Sequence, residues 1–153
     1  MPDFLTLNIT DIARTADIAG QLSYLSEKGE VIELVGDLGA GKTTFARYFI
    51  NSLCGSDQQV TSPTFNIVQI YDAVNFPIWH FDLYRLKDAS ELEEIGLYQA
   101  FDEALCLIEW PEIIDDILPE DRLLVKIHLE NDKRNVVLEG FGKWKEKLGK
   151  IRP

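Results

Sequence analysis

The sequence predicts an α/β domain of three layers built on a mixed parallel and antiparallel sheet. Three observations lead there. The apolar, β-branched run Val31–Val35 precedes a glycine-rich segment and then a helical pattern, the strand–loop–helix unit from which parallel sheets grow. Two pairs of alternating runs, one around residue 75 and one near the C-terminal end, read as antiparallel hairpins grafted onto that unit. At 153 residues the chain can bury a real core without staples, and no linker or low-complexity tract divides it. One domain over residues 1–153 is expected, with a basic C-terminal tail at 143–153.

Taken in order, Phe4–Ile9 alternates well enough for a first strand. Thr10 is the expected N-cap of a helix whose stripe runs Ile12, Ala16, Ala19, Leu22 and Leu25 before Gly29. The central strand Val31–Val35 then enters Gly36-Asp37-Leu38-Gly39-Ala40-Gly41-Lys42-Thr43, which matches G-x-x-x-x-G-K-T, the phosphate-binding loop or Walker A motif. A helix from Lys42 to Leu53, stopped by Gly55, completes the context that the motif requires. The fold is therefore expected to be a P-loop NTPase-like domain. Backbone N–H groups of residues 37–43 would point at phosphate oxygens, helped by the positive end of the helix. Glycines at 36, 39 and 41 permit the close approach. Lys42 would reach the β- and γ-phosphates, and the Thr43 hydroxyl would ligate Mg²⁺. The nucleotide-binding stretch is thus Asp37, Leu38, Gly39, Ala40, Gly41, Lys42, Thr43 and Thr44.

Val60–Phe65 and an alternating run to Tyr71, a loop over Asp72–Pro77, and Ile78–Tyr84 form the first expected hairpin. Ser90-x-x-Glu93 reads as a capping box that starts a short helix near Glu91. Gly96 breaks it, and a second short helix is expected over Tyr98–Glu103. Leu105–Ile108 with Glu109 has the form of a buried strand, and Pro111 opens a helical turn through Ile117. Leu123–Leu129 and Asn135–Phe141 flank Asn131-Asp132-Lys133-Arg134 as a terminal hairpin.

Composition excludes several classes. No apolar run approaches ~20 residues and no basic–apolar leader pattern opens the chain, so a soluble, cytoplasmic protein without membrane association is expected. Cys54 and Cys106 belong to no metal-ligand spacing and read as buried small hydrophobes. The net charge is −11, yet in residues 143–153 five basic side chains face only Glu146, so the tail carries +4 and the rest −15. An acidic body repels polyanions, which argues against autonomous nucleic-acid binding and requires the phosphate pocket to work through local donors and a divalent cation. The tail reads as a solvated segment before it reads as a docking or nucleic-acid element.

Hydrolysis or transfer also needs the cation held and an attacking group oriented. Asp82 and Glu109 both sit where apolar strands end. Strand alternation places His80, Asp82 and Tyr84 on one face and Phe81 and Leu83 on the other. The unbroken apolar run before Glu109 suits the metal-side acid, which leaves Asp82 to orient water; spacing alone does not fix that division. Thr64, after Ser62-Pro63, sits on a stiffened approach where a hydroxyl could sense the γ-phosphate or simply cap a turn. His80 reads as a hydrogen-bonding strand histidine rather than a base. Arg85 suits a phosphate or a neighbouring acid equally.

Together, residues 36–44, Ser62-Pro63-Thr64-Phe65, His80-Phe81-Asp82-Leu83-Tyr84-Arg85-Leu86 and Ile108-Glu109-Trp110-Pro111 resemble the TsaE (formerly YjeE) family in order and spacing. The resemblance implies a bacterial ATPase needed to make threonylcarbamoyladenosine beside the anticodon of tRNAs that read A-starting codons. It implies ATP, with ADP as product, and Mg²⁺ as cofactors. TsaD, which carries out the transfer, and its scaffold TsaB are the implied partners, with tRNA engaged indirectly and hydrolysis resetting the complex. Carried over, Lys42 holds phosphates, Thr43 and Glu109 ligate Mg²⁺, Asp82 orients or activates water, and Thr64 belongs to a switch loop. Contacts to the adenosine end would come from near Asp11 and from the hairpin around Lys133. Trp110 would report nucleotide occupancy or merely pack.

Two other readings compete. A small-molecule or nucleotide kinase usually closes an arginine-bearing lid, and the arginines here do not cluster. A nucleotide-gated switch would bind without hydrolysing; a guanine-reading Asn-Lys-x-Asp is absent.

Overall fold

A computed structural model describes residues 4–9, 11–36, 41–55, 59–61, 63, 67–88, 90–130 and 133–152. Its sheet contains β1 (Phe4–Ile9), β2 (Val31–Gly36), β3 (Val68–Asp72), β4 (Pro77–Asp82), β5 (Leu105–Glu109), β6 (Arg122–Glu130) and β7 (Lys133–Phe141). They lie in the order β1-β7-β6-β2-β5-β4-β3. The four central strands β6, β2, β5 and β4 run parallel. Strand β3 pairs antiparallel with β4, β7 with β6, and β1 with β7. The expected mixed α/β architecture is present.

Helices α1 (Ile12–Leu25) and α2 (Lys42–Cys54) cover one face of the sheet; α3 (Glu91–Glu94), α4 (Leu97–Glu103) and a 3₁₀ segment over Pro111–Ile117 cover the other. Strand alternation divides the core accordingly. Ile32, Leu34, Leu105 and Leu107 meet Ile18, Leu22, Phe45 and Phe49 on the first face. Val31, Cys106, Ile108 and Phe81 meet Leu92, Leu97 and Ile114 on the second. Burial on both faces is why β2 and β5 read as unbroken apolar runs.

Several local expectations change. The helix cap before α1 is Asp11, whose side chain accepts the Arg14 N–H at 2.9 Å. Ser90 is already in right-handed helical geometry and makes no side-chain cap bond, so the capping box is not formed. Helix α4 begins at Leu97, directly after Gly96. Strand β3 begins only at Val68, and β4 ends at Asp82, which puts Tyr84 in the following turn rather than on the strand. Cys106 is buried as expected, but Cys54 is only half-buried.

The basic tail is the largest departure. It folds as α5 (Trp144–Lys147) and a 3₁₀ turn (Leu148–Lys150), and Trp144, Leu148 and Ile151 join the first core. Trp144 is fully buried and its Nε1–H donates to Glu30 Oε1 at 3.1 Å. Lys147 pairs with Glu27 at 2.9 Å and Glu30 at 2.5 Å. Spacing of i, i+4 and i+7 makes an apolar stripe that the lysines between had masked. Gly140 lets α5 approach β7, because a Cβ there would meet the Trp144 carbonyl oxygen at 2.5 Å. Among the described residues no helix is long and apolar enough to cross a membrane.

Candidate functional site

The site gathers at the C-terminal ends of the parallel strands. Strand β2 delivers Gly36, and α2 starts at Lys42 after Gly41, whose φ of +108° is a conformation that side-chain-bearing residues rarely adopt. The Gly41 carbonyl accepts the Phe45 N–H at 2.9 Å, opening the helix. Lys42 is buried, its Nζ donating to the Gly36 carbonyl at 2.8 Å and lying 3.8 Å from the centre of the Trp110 ring. Thr43 and Thr44 follow, half-buried, in the first turn of α2. Asp37, Leu38, Gly39 and Ala40 lie outside the described residues, as does Thr64.

Strands β4 and β5 supply the acids. Their parallel register sets Asp82 opposite Glu109, and β2 sets Leu34 on the other side of Glu109. Both carboxylates are buried, Asp82 at 7% exposure and Glu109 at 3%. Asp82 Oδ1 accepts the Tyr84 N–H at 3.1 Å, and the Asp82 N–H donates to the Ile67 carbonyl at 2.8 Å. Ile67 also donates its N–H to the Pro63 carbonyl at 2.8 Å and holds φ at +66°, a strained value for a β-branched residue. The chain before β3 is thus tied to Asp82 at Ile67, which in turn holds the Pro63 carbonyl. His80, fully buried, bonds Glu109 Oε2 through Nε2 at 2.7 Å and is the packed, hydrogen-bonding strand histidine expected.

Trp110 follows Glu109 with φ +57°, ψ +59°, and this left-handed turn swings its ring over Lys42. Tyr84 covers the ring, with 4.8 Å between centroids. The column Tyr84–Trp110–Lys42 joins the ends of β4, β5 and the head of α2. Sequence reading placed Tyr84 beside Asp82 on the strand face and missed this stack. The tight turn needed to bring Trp110 back has no signature in the sequence.

A second feature lies on the other side of α2. A small cavity is lined by Ile9, Thr15, Gly41, Thr44, Ile127 and Arg134, among others. Arg134 lies against Gly41, where a Cβ would come within 3.4 Å of its Nε. Lys133, the expected contributor, is exposed, because adjacent strand residues point to opposite faces. Arg134 shares the parity of buried Val136 and Leu138, the signal that could have found it. Asp11 is exposed and caps α1 through Oδ1; Ile9 and Thr15, on either side of it, line the cavity.

Chemically, the arrangement offers one buried ammonium, two neighbouring carboxylates and the hydroxyls of a helix head. Among the described residues no three His, Cys, Asp or Glu side chains converge as a self-sufficient metal cage. Mg²⁺ does not need one, since it is held by one or two carboxylates together with phosphates and water. A donor set of Glu109 and Thr43 is of the oxygen type that fits this ion.

The family model described as "Threonylcarbamoyl adenosine biosynthesis protein TsaE" matches residues 9–136. A tRNA threonylcarbamoyladenosine biosynthesis protein TsaE of Rickettsia conorii is 43% identical over 130 residues, covering 84% of this chain and 73% of its own. The protein of the same name from Bacillus subtilis is 38% identical over 136 residues, covering 88% of this chain and 84% of its own. The crystal structure of Bacillus subtilis YdiB superposes with a TM-score of 0.78 at 30% identity, over 98% of this chain and 94% of that one. The likeness spans both the site and the sheet that carries it, and the chain belongs to the TsaE family of tRNA threonylcarbamoyladenosine biosynthesis.

Proposed function

We propose that the chain is a Mg²⁺-dependent ATP-binding protein and ATPase of the cytoplasm. In this reading it serves formation of the threonylcarbamoyl group on adenosine beside the anticodon of tRNAs reading A-starting codons. It acts with TsaB and TsaD, weakly alone and faster with them, and its hydrolysis resets their complex between turnovers.

One observation carries the reading: the head of α2, with Lys42 buried, stands beside the paired strand ends that hold Asp82 and Glu109. Lys42 would bind the β- and γ-phosphates, exchanging the Gly36 carbonyl and the Trp110 face for phosphate oxygens. Glu109 and Thr43 would hold Mg²⁺, which when bound screens the phosphate charge. Asp82, fixed by the Tyr84 N–H, would orient the attacking water and accept its proton. Thr64, in sequence between Pro63 and Ile67, would serve as the switch residue. Arg134, with Thr15 and Thr44 beside it, would contact the adenosine end.

The test is phosphate release from ATP measured for the protein alone, with TsaB and TsaD, and with tRNA added. Stimulation by the partners is expected, and Asp82→Asn should bind ATP within about threefold of wild type while losing about a hundredfold of stimulated turnover. Release that stays at background in every mixture would leave a binding switch in place of an ATPase.

A further inference from the structure

His80 lies on β4 two register pairs below Asp82 and faces Leu107 on β5, so its ring reaches diagonally to Glu109. Both partners are buried, with side-chain exposures of 0% and 4%. A carboxylate can only accept, so His80 Nε2 carries the proton of this bond. Nδ1 has no hydrogen-bond partner among the described residues, and a proton there would be a buried donor with nothing to receive it. The ring is therefore a one-armed donor aimed at a single oxygen, Oε2.

Asp82 and Glu109 leave adjacent strands on the same face, and two charged carboxylates held side by side out of water repel each other. Left to itself Glu109 would rotate away from its neighbour. We propose that His80 is a positioning residue: its Nε2–H pins Oε2 of Glu109 and leaves Oε1 to the cation. This rests on the reading of Glu109 as a Mg²⁺-holding group. Hydrogen bonds behind a metal-binding side chain fix its orientation, and their loss typically weakens metal binding 10–100-fold.

The test is calorimetry of ADP binding to the full chain, in Mg²⁺ and in EDTA, for wild type, His80→Leu, His80→Gln and Glu109→Gln. Wild type should bind ADP more tightly with Mg²⁺. In His80→Leu that gain should fall about tenfold, with the affinity in EDTA within about threefold of wild type. His80→Gln, whose amide can donate to the same oxygen, should recover most of the gain. A full Mg²⁺ gain in His80→Leu, or an equal loss with and without Mg²⁺, overturns the proposal; the second outcome marks a merely structural histidine.

Glu109→Gln separates this inference from its parent. If it keeps the gain, Glu109 does not hold the cation and the parent reading fails. If it loses the gain while His80→Leu keeps it, only the role of His80 fails. Should His80→Leu not fold, ¹⁵N spectra of the wild-type ring decide. Nε2 protonated before and after addition of Mg²⁺ and ADP supports the proposal, and a proton on Nδ1 instead overturns it.

Discussion

The Lys42 ammonium lies 3.8 Å from the centre of the Trp110 indole, at the head of α2 where the proposed function puts phosphate. A cation over an aromatic face is worth about 0.5–2 kcal/mol, less than a charge-assisted bond to phosphate. Nucleotide should therefore win the ammonium and release the ring. ADP with Mg²⁺ should change tryptophan emission, and Trp110→Phe should abolish most of that change, because Trp144 is wholly buried in another part of the core and Trp79 packs against Phe81 and Gly96 on the second face of the sheet. Lys42→Ala should weaken ADP binding about tenfold or more, the value of one hydrogen-bonded charge. Identical emission responses in wild type and Trp110→Phe would show that the ring does not sense the site.

Arg134 and Lys133 give a sharper contrast, since neighbours in one strand face opposite ways. Arg134→Ala removes the guanidinium against Gly41 and should weaken ADP binding severalfold. Lys133→Ala, on the exposed side, should stay within about twofold, as surface substitutions usually do. Calorimetry on the two variants checks the pair. A larger loss for Lys133 would place the adenosine end on the outer face of the hairpin.

The tail provides a stability prediction. Trp144→Ala deletes a fully buried indole that donates to Glu30 and should cost about 3–5 kcal/mol. Lys150→Ala, exposed at the end of the tail, should change stability by less than about 0.5 kcal/mol. Urea unfolding of both variants separates a packed tail from a solvated one. Equal, small effects would mean that the tail adds nothing to the fold.

What the sequence made legible follows from how local each signal is. The β2–loop–α2 unit announces itself through a run of apolar residues, glycines at fixed offsets and one lysine, all within about twenty positions. Asp82 and Glu109 were visible as acids at strand ends, because alternation and apolar runs are local too. The partnership of His80 with Glu109 was not, since it depends on which strands become neighbours and in what register. That Arg134 lies against Gly41 while its neighbour Lys133 is exposed turns on strand parity, a shift of one residue that reverses every side chain. Ser90 carried the letters of a capping box without the backbone geometry that makes one. In the tail, a three-residue apolar stripe was outweighed by the charge around it.

Glu33 gives a pH prediction. It lies on β2 with Val31, on the face opposite α1 and α2, and is 5% exposed. Burial pushes its carboxyl up to about 7; Arg122 opposes this, and Asp115 and Glu112 add to it. Arg122 comes no closer than 3.5 Å, and it also uses the Pro119 carbonyl and the Phe141 ring. The unfolded chain releases this proton near 4.5, the ordinary value, whereas the folded chain keeps it until about 7. Between those values the folded state binds more protons, so the contribution of Glu33 to stability falls as pH rises through that window and stays low above it. Glu33→Gln removes the titration while Arg122 keeps its other partners. The stability of this variant relative to wild type should therefore rise by about 2 kcal/mol from about pH 5.5 to about pH 8, on the scale of 1.36 kcal/mol per pKa unit. Urea unfolding at the two pH values measures the gap. A gap that stays constant would mean that Glu33 is solvated or paired well enough in the folded chain to ionise as it does in the unfolded one.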